Sequence, residues 1–260
     1  MNLDLQQKVI IVTGGAKGIG AGIASLLASE GALPVIIGRN EEDNIKLVRK
    51  IEVSGGFCSY VTAELSDPAA CEQAVNIIRD KFGRIDGLVN NAGANDGVGL
   101  EKGNYSAFLD SLHKNMVHYY LLAHHVLPDL KKSGGSIVNI GSKIAETGQG
   151  GTSGYAAANG ARNALTREWA VELLPFNIRV NAVIVAECFT PLYEKWIRTR
   201  PDPEKALAAI EARIPLGKRM TTTLEIANMV AFLLSPLSSH TTGQLIHVDG
   251  GYVHLDRAIS

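Results

Sequence analysis

The sequence predicts an α/β fold, because short apolar, β-branched runs alternate with helix-like segments along the whole chain. The runs are continuously apolar, as in strands that are buried on both faces of a parallel sheet. A glycine-rich turn directly follows the first run. The 260 residues, 46% of them hydrophobic, are enough for one full-sized core. We therefore predict a single domain over residues 1–260, a Rossmann-like, doubly wound parallel sheet of about seven strands with helices on both faces.

The predicted elements alternate in order along the chain. Each strand is a short run rich in Val and Ile, and each helix is a longer amphipathic segment. The predicted strands are 9–12, 35–37, 60–62, 85–89, 136–140, 178–185 and 244–248, and the predicted helices are 18–30, 41–54, 68–82, 105–131, 155–174 and 224–235. The segment 190–219 contains four prolines and no strand-like run, so we predict a substrate lid there.

Charge, hydropathy and cysteine patterns exclude several classes of protein. The net charge is −1 without a block of like charges, so nothing indicates a nucleic-acid partner. No apolar run approaches the roughly 18 residues of a membrane span, and the first residues lack a signal-peptide pattern, so we expect a cytoplasmic protein. Cys58, Cys71 and Cys188 match no zinc or disulfide spacing. His124 and His125 are adjacent on a predicted helix and face different ways, so we expect no metal site.

Polar and glycine-rich residues follow five of the predicted strands. They are the segments 13–20, 38–39, 90–93, 141–142 and 185–187. Ligands of open α/β sheets bind outside the carboxyl ends of the strands. We therefore expect these five segments to meet at one cleft.

The first of these segments reads Thr13-Gly14-Gly15-Ala16-Lys17-Gly18-Ile19-Gly20. Glycines let the backbone turn tightly and approach a pyrophosphate closely, and the following helix offers unpaired N–H groups at its N-terminus. A glycine-rich turn alone is a weak signal. Its place directly after the first strand and before a helix is the one that a dinucleotide site requires.

Further motifs follow in order along the chain. Asn90-Asn91-Ala92-Gly93 ends the fourth predicted strand, Asn115 lies in the next long helix, and Ser142 follows the fifth strand. Tyr155 comes 13 residues after that serine, and Asp249-Gly250-Gly251 closes the last strand. Together these motifs resemble the short-chain dehydrogenase/reductase family over essentially the whole chain.

The resemblance implies an NAD(P)-dependent oxidoreductase in which Tyr155 is the base. A phenol with an ordinary pKa near 10 can act as a base only if its phenolate is stabilised. In the family, the serine at Ser142 holds the substrate oxygen, and the asparagine at Asn115 supports a proton-relaying water. A lysine four residues after the tyrosine stabilises the phenolate and binds the cofactor ribose. Here that position is Asn159, which can bind ribose but has no charge; Lys143 is one substitute, unless it turns to solvent.

The choice of cofactor depends on the end of the second predicted strand. NAD-binding proteins place an acidic residue there, whereas an arginine accommodates the 2′-phosphate of NADP. Arg39 stands there and Lys17 adds a positive charge, so we expect NADP, with NAD as the alternative if Glu41 or Glu42 reaches the ribose. The resemblance also implies that Glu64 contacts adenine. The predicted cofactor-binding residues are Gly14, Lys17, Gly18, Ile19, Gly20, Arg39, Glu64, Leu65, Asn91, Ala92, Gly93, Asn159 and Ala186.

Segments outside these motifs are similar to bacterial L-fucose dehydrogenases, which oxidise the anomeric carbon of a sugar to a lactone. They are 95–100, 147–150, 165–170, 186–187, 190–193 and 251–257. A cluster of polar side chains suits sugar hydroxyls, whereas a fatty-acyl or steroid substrate needs an apolar wall. The predicted substrate-binding residues are Asn95, Asp96, Glu146, Gln149, Glu187 and Trp196, the last stacking on a sugar face unless it is a core aromatic.

Two other functions stay open. One is a reductase of another small carbonyl, such as a 3-oxoacyl thioester, although no Arg/Lys cluster indicates a surface for an acyl carrier. The other is a cofactor-binding relative with impaired catalysis, because Asn159 replaces the lysine. The resemblance also implies a homotetramer in which the predicted helices 105–131 and 155–174 pair across a two-fold axis.

Overall fold

The computed structural model describes residues 2–255 and contains a seven-stranded sheet. The strands are β1 (Val9–Thr13), β2 (Leu33–Gly38), β3 (Ser59–Thr62), β4 (Gly87–Asn90), β5 (Ser136–Ser142), β6 (Arg179–Val185) and β7 (Leu245–Val248). Neighbouring strands are parallel, in the order β3-β2-β1-β4-β5-β6-β7. The order reverses between β1 and β4, and a ligand crevice opens at such a reversal. The predicted doubly wound parallel sheet is confirmed.

Helices cover both faces of this sheet. They are α1 (Gly18–Ser29), α2 (Glu41–Val53), α3 (Pro68–Phe82), α4 (Tyr105–Leu112), α5 (His118–Ser133), α6 (Ser153–Glu172), α7 (Pro191–Ile197), α8 (Pro203–Glu211) and α9 (Thr223–Leu234). One apolar core contains side chains of α1, α2 and α9, and the other contains side chains of α3, α5 and α6. The sheet lies between these two cores.

Strand β1 shows why the predicted strands are apolar throughout. All five of its residues are buried. Ile10 and Val12 belong to the core with α1, while Val9 and Ile11 belong to the core with α3. Side chains alternate across a strand, so a strand between two helical layers needs apolar residues at every position.

The helix predicted over 105–131 is interrupted in the structure. Between α4 and α5, residues His113–Val117 form a π-helical turn, and the buried Asn115 lies at its centre. A π turn adds one residue to the helical turn and is frequent at functional sites. The spacing of the apolar residues does not predict this π turn, because the segments on both sides of it remain helical.

The segment 190–219 has no strand, as predicted, but it contains α7 and α8, which the sequence analysis did not predict. Thr190 and Asp202 cap these helices by accepting hydrogen bonds from main-chain N–H groups of the first turn, and a proline follows each cap. A capping residue followed by proline is a helix-start signal. After α8, the chain returns to the sheet where the N–H of Thr221 donates to the carbonyl of Glu187 at 3.0 Å.

The structure also bears on the predictions about membrane-spanning segments and the segment 251–257. Within residues 2–255, each helix is too short or too polar to span a bilayer. The segment 251–257, which carries part of the sugar-dehydrogenase resemblance, is only partly visible: Asp256 and Arg257 lie outside the described residues.

Candidate active site

The glycine-rich turn between β1 and α1 leaves no room for side chains at two positions. Gly14 has a φ of +60°, a region that favours glycine, and a Cβ there would lie 3.0 Å from the Cα of Ala92. A Cβ on Gly20 would lie only 2.3 Å from the Gly14 carbonyl oxygen. Main-chain atoms therefore pack against one another here, and main chain is what the turn presents to a ligand.

Thr13 and Asn91 fasten this turn to the end of β4. Thr13 Oγ1 accepts hydrogen bonds from the N–H groups of Asn91 at 2.8 Å and Ala92 at 3.0 Å. Asn91 Nδ2 donates to the Thr13 carbonyl at 2.9 Å. The carboxyl ends of β1 and β4 are thus held side by side where the strand order reverses.

The N-terminus of α1 is open to an anion. The helix begins after Lys17, and no side chain caps its first N–H groups. By contrast, Asn40 caps α2 by accepting a hydrogen bond from the N–H of Asp43. Uncapped N–H groups and the positive end of the helix dipole attract phosphate. The turn and this helix end therefore fit the pyrophosphate of a dinucleotide.

The two positively charged side chains predicted to bind the cofactor near the end of β2 are each paired with a carboxylate. The Arg39 side chain is 82% exposed and its guanidinium lies 3.9 Å from Glu64, while Lys17 Nζ lies 2.6 Å from Asp43. An ion pair as exposed as that of Arg39 is weak, so its guanidinium is free to move to a ligand. Partial burial opposes ionisation of Glu64, but hydrogen bonds from Ser66 outweigh it and lower the pKa of this carboxyl below its usual value.

The other predicted cofactor residues differ in what they can offer to a ligand. Leu65 is buried in the apolar core with α3, and Ile19 packs against the core on the opposite face. Gly93 is exposed after β4, and Ala186 directly follows β6. A buried leucine side chain cannot touch a ligand, so only the main chain of Leu65 remains for the predicted contact.

The predicted reacting residues lie where strand and helix ends meet. Ser142 is the last residue of β5, and Tyr155 is in the first turn of α6; both are partly buried. Both polar atoms of the Asn115 side chain are hydrogen-bonded: its Oδ1 accepts from the N–H of Ala94 at 2.8 Å, and its Nδ2 donates to the carbonyl of Ser111 at 3.0 Å. Asn115 therefore holds the loop after β4 against the π-helical turn.

Arg162, which the sequence analysis did not single out, joins these residues. It is only 3% exposed. Its Nε donates to the Asn115 carbonyl at 2.6 Å, and its Nη1 donates to the Ile140 carbonyl at 3.1 Å and to Asn159 Oδ1 at 3.0 Å. Asn159 Nδ2 in turn donates to the Tyr155 carbonyl at 2.9 Å. One guanidinium group therefore links the segments that carry Asn115, Asn159 and Tyr155.

Both polar atoms of Asn159 are used by these bonds, and the residue is fully buried. Arginine can only donate hydrogen bonds, so Asn159 must direct its oxygen towards Arg162 and its nitrogen towards the Tyr155 carbonyl. Its amide keeps a second hydrogen and a second lone pair, but because the side chain is fully buried, the predicted contact with a ribose hydroxyl requires its surroundings to move.

A line of buried hydrogen bonds continues from Arg162 to β4. Thr166 Oγ1 donates to the Arg162 carbonyl at 2.8 Å and accepts from Asn139 Nδ2 at 3.0 Å. Asn139 Oδ1 accepts from Asn90 Nδ2 at 3.0 Å. All four residues are buried, and the line connects α6 with β5 and β4.

Two titratable side chains of α5 surround the guanidinium of Arg162. Its central carbon lies 4.2 Å from the centre of the Tyr119 ring. Burial, and then the charge of Arg162, lower the pKa of His118 to about 4, so His118 is neutral at neutral pH. Burial raises the pKa of Tyr119, against the opposing effect of the arginine, so its phenol stays protonated.

Lys143 points to Glu187 and not to solvent. The Lys143 ammonium forms an ion pair with the Glu187 carboxylate, and the two side chains are only 12% and 13% exposed. They meet because Ser142 and Val185 are paired in the register of β5 and β6, and each charged residue follows closely. The ammonium also lies 3.8 Å from the centre of the Tyr252 ring. Lys143 is therefore a paired charge next to Ser142.

The predicted substrate residues in the loops are mostly engaged or exposed. Asp96 Oδ1 accepts from Ser111 Oγ at 2.9 Å, and Asn95 Oδ1 accepts from a main-chain N–H two residues on at 3.2 Å. These bonds shape the loop after β4. Gln149 is exposed. The role of these side chains in binding a substrate stays a prediction.

Glu146 faces a different cavity. Its Oε2 lies 3.1 Å from Nε2 of His247, on the edge strand β7. A cavity of about 610 Å³ lies along this strand and α6, with Arg167 and His254 in its wall. Ligand atoms of Glu146, His247 and His254 all lie within 4.8 Å of one another, a grouping that sequence spacing does not indicate.

The segment 190–219 brings aromatic side chains and a threonine to the crevice. A Cβ on Gly18 would lie 3.2 Å from Cγ2 of Thr190, so the start of this segment touches the glycine-rich turn. Trp196 is 39% exposed, and its ring makes an edge contact with Tyr193, with ring centres 5.1 Å apart. Burial, and then the Glu187 carboxylate, raise the pKa of Tyr193, so this phenol remains a hydrogen-bond donor.

The three cysteines are free and buried. Burial raises the pKa of the Cys58 thiol to about 12 and that of the Cys188 thiol to about 11. A thiol must ionise before it can act as a nucleophile. These two cysteines therefore offer no nucleophile at neutral pH.

Comparison with known proteins gives one family and several similar chains. The family described as enoyl-(acyl carrier protein) reductase matches residues 14–253. The 3-oxoacyl-(acyl-carrier-protein) reductase FabG of Thermotoga maritima is 37% identical over 96% of this chain and 100% of its own length. The L-fucose dehydrogenase of Oryctolagus cuniculus is 34% identical over 94% of this chain and 84% of its own. The crystal structure of Cj0485 dehydrogenase is 47% identical, with a TM-score of 0.94, over 99% of this chain and 98% of that one.

Replacing Gly20 by alanine is expected to weaken dinucleotide binding, because the new Cβ would displace the Gly14 carbonyl from its present position. Isothermal titration with NADP should show at least a roughly tenfold loss of affinity, equivalent to about 1.4 kcal/mol. Gly160→Ala in α6 is the matched control, since its Cβ would meet no atom within 4 Å. Unchanged affinity in Gly20→Ala would show that this turn does not hold the cofactor.

Proposed function

The chain belongs to the short-chain dehydrogenase/reductase family of NAD(P)-dependent oxidoreductases, and we propose that its substrate is an L-fucose-like aldose. The enzyme would oxidise the anomeric carbon of the sugar to the lactone. Its similarity to the L-fucose dehydrogenase of Oryctolagus cuniculus supports a sugar substrate, because the two chains align over most of both lengths.

The observation that carries the proposal is the ion pair between Lys143 and Glu187. It is almost buried, and Lys143 directly follows Ser142 in the chain, so we expect a substrate bound at that serine to lie near the pair. An apolar acyl chain would remove water from these charges and return no hydrogen bonds, which is costly. Sugar hydroxyls both donate and accept, and can satisfy the ammonium and the carboxylate together. The protonated phenol of Tyr193 adds a further donor beside Glu187.

Each group has one task in the proposed reaction. A bound NAD(P)+ would supply the acceptor for the hydride of the anomeric carbon. Tyr155 takes the proton of the anomeric hydroxyl, and Ser142 donates a hydrogen bond to the same oxygen. The carbon loses a hydride and the hydroxyl loses a proton, so the products are the lactone, NAD(P)H and a proton.

We propose NADP as the preferred cofactor. Arg39 is exposed at the end of β2 and is held only by a weak pair with Glu64 at 3.9 Å, so a 2′-phosphate can take that partner's place. Lys17 contributes less than the sequence suggests, because Asp43 already neutralises it. Neither Glu41 nor Glu42 is needed in this arrangement.

The alternative substrate is a 3-oxoacyl thioester, and the similarity to FabG of Thermotoga maritima is the observation that favours it. The buried ion pair beside Ser142 argues against an acyl chain there. The other alternative is impaired catalysis, because Asn159 carries no charge. The proposal and its two alternatives predict different results when turnover by the wild-type protein is measured.

The proposed homotetramer and the cytoplasmic location stay predictions. On α6, Ala157 and Ala164 are exposed and available for pairing with a second copy, whereas Trp169 is buried in the core of its own chain. Small exposed residues allow close approach of two helices, which is compatible with the expected pairing.

Arg39→Ala should weaken NADP binding by about 2 kcal/mol, roughly thirtyfold, because one charge-assisted hydrogen bond to the 2′-phosphate is lost. NAD affinity should change little. Titration of both cofactors checks this, with Arg49→Ala, an exposed arginine of α2, as the control. Equal or tighter binding of NAD by the wild type contradicts the preference.

Tyr155→Phe should reduce turnover by roughly a thousandfold while cofactor affinity stays the same, because only the proton acceptor is removed. The assay screens L-fucose, D-arabinose, L-galactose and an acetoacetyl thioester with NADP and NAD. Tyr120→Phe is the control, since Tyr120 lies exposed on α5.

The screen separates the alternatives. Wild-type turnover of an aldose that Tyr155→Phe loses supports the proposal. Turnover of the thioester alone favours the acyl reductase, and cofactor binding without any turnover favours impaired catalysis. A Tyr155→Phe protein that keeps the wild-type rate rules out this tyrosine as the base.

A further inference from the structure

Arg162 is a buried positive charge without a negative partner. It is 3% exposed, and no carboxylate of the described residues lies within ion-pairing distance. Its contacts are three oxygens of neutral groups and the face of the Tyr119 ring, and its Nη2 has no hydrogen-bond partner. Burying an unpaired charge is strongly unfavourable, so an arginine used only for packing would be a poor choice here.

Arg162 lies on the same face of α6 as Tyr155 and Asn159. Residues 155, 159 and 162 are spaced by four and three positions, so they lie on one face of the helix. Helical side chains lean towards the N-terminus, and the long arginine therefore extends back over the turn that carries Asn159. The observed bonds follow this path, from the guanidinium to Asn159 and from Asn159 to the Tyr155 carbonyl.

The unpaired Nη2 also points to the reaction end of the crevice. A Cβ placed on Gly93, directly after β4, would lie 2.8 Å from this nitrogen. Gly93 belongs to the predicted cofactor-binding segment, and the neighbouring Ala94 is held by Asn115. The free donor of the guanidinium therefore lies against the wall of the candidate cofactor site.

We propose that Arg162 is a positioning residue whose charge stabilises the Tyr155 phenolate, acting through Asn159 and the carbonyl of Asn115. The inference rests on the proposed function, in which Tyr155 takes a proton. Arginine keeps its proton at any physiological pH, so its charge is present before and after the transfer. Tyr155 changes from negative to neutral in the forward reaction, and the arginine favours the earlier, charged form.

The other titratable groups described around this face of α6 do not supply an uncompensated positive charge. From α5, His118 is neutral and Tyr119 is protonated at neutral pH. From the strand ends, the ammonium of Lys143 is neutralised by Glu187. Among the described residues at this place, Arg162 is thus the charge that no neighbour cancels.

The test compares Arg162→Leu, the double variant Asn159→Lys/Arg162→Leu and the control Arg167→Leu. The double variant moves the positive charge about one turn closer to Tyr155 along the same helix face. Arg167 is exposed on the same helix, in the wall of the cavity along β7. For each protein, kcat and KM are measured against pH with NADP and the best substrate of the wild type.

Arg162→Leu is expected to lower kcat at neutral pH by roughly a hundredfold, with a cofactor KM within a few-fold of wild type. The rise of kcat with pH should move to more alkaline pH. The double variant should recover most of the lost kcat and the wild-type profile, and Arg167→Leu should leave both unchanged. A folded Arg162→Leu protein with wild-type kcat and profile overturns the proposal.

Two further measurements apply if Arg162→Leu does not fold or if the wild type shows no turnover. If Arg162→Leu does not fold, Arg162→Lys decides: a wild-type pH profile supports a role of the charge, and a profile moved to alkaline pH overturns it. If the wild type turns over no substrate, the proposed function fails by itself. Alkaline titration of phenolate absorbance in the NADP-bound proteins, with Tyr155→Phe as the blank, then gives the answer without turnover. A Tyr155 signal at the same pH with and without Arg162 contradicts the inference.

Discussion

The structure of the candidate site depends on a line of buried polar side chains that must all find partners. Buried amide and guanidinium groups are costly when unpaired, so each one restricts the position of the next. The line runs from Asn90 through Asn139 and Thr166 to Arg162, and ends at Asn115 and Asn159. It joins β4, β5 and α6 and fixes the helix turn that carries the proposed base. An apolar core would allow this helix to slide; a line of directional hydrogen bonds restricts its position.

The parallel sheet brings the chemistry to one edge of the molecule. Because the strands are parallel and in register, the glycine-rich turn, Thr13, Asn91 and Ser142 all follow carboxyl ends that lie side by side. The same register pairs Lys143 with Glu187 beside Ser142. The predicted cofactor and substrate residues of these strands therefore share one edge of the sheet, and the segment with α7 and α8 approaches the glycine-rich turn at Gly18.

Sequence reasoning predicted the parts of the structure that depend on local pattern. Continuous apolar runs predicted the strands. The glycines predicted a tight turn, because the main chain packs closely only where side chains are absent. It missed features that depend on distant partners. The π turn at Asn115 interrupts a helix whose apolar spacing is intact, and the partners of Arg162 lie 22 and 47 residues away in the chain. Glu146 was grouped with the substrate residues by polarity alone, and β7 supplies its partner, 101 residues later.

The proposed reaction requires that the hydride leave the anomeric carbon of a sugar for the nicotinamide. The most direct test uses the best aldose substrate carrying deuterium at that carbon, with NADP and the wild-type protein. Hydride transfer from the anomeric carbon predicts slower turnover than with the unlabelled sugar, and deuterium in the reduced cofactor. Deuterium that stays entirely in the sugar product, or reduced cofactor without label, would rule out this transfer.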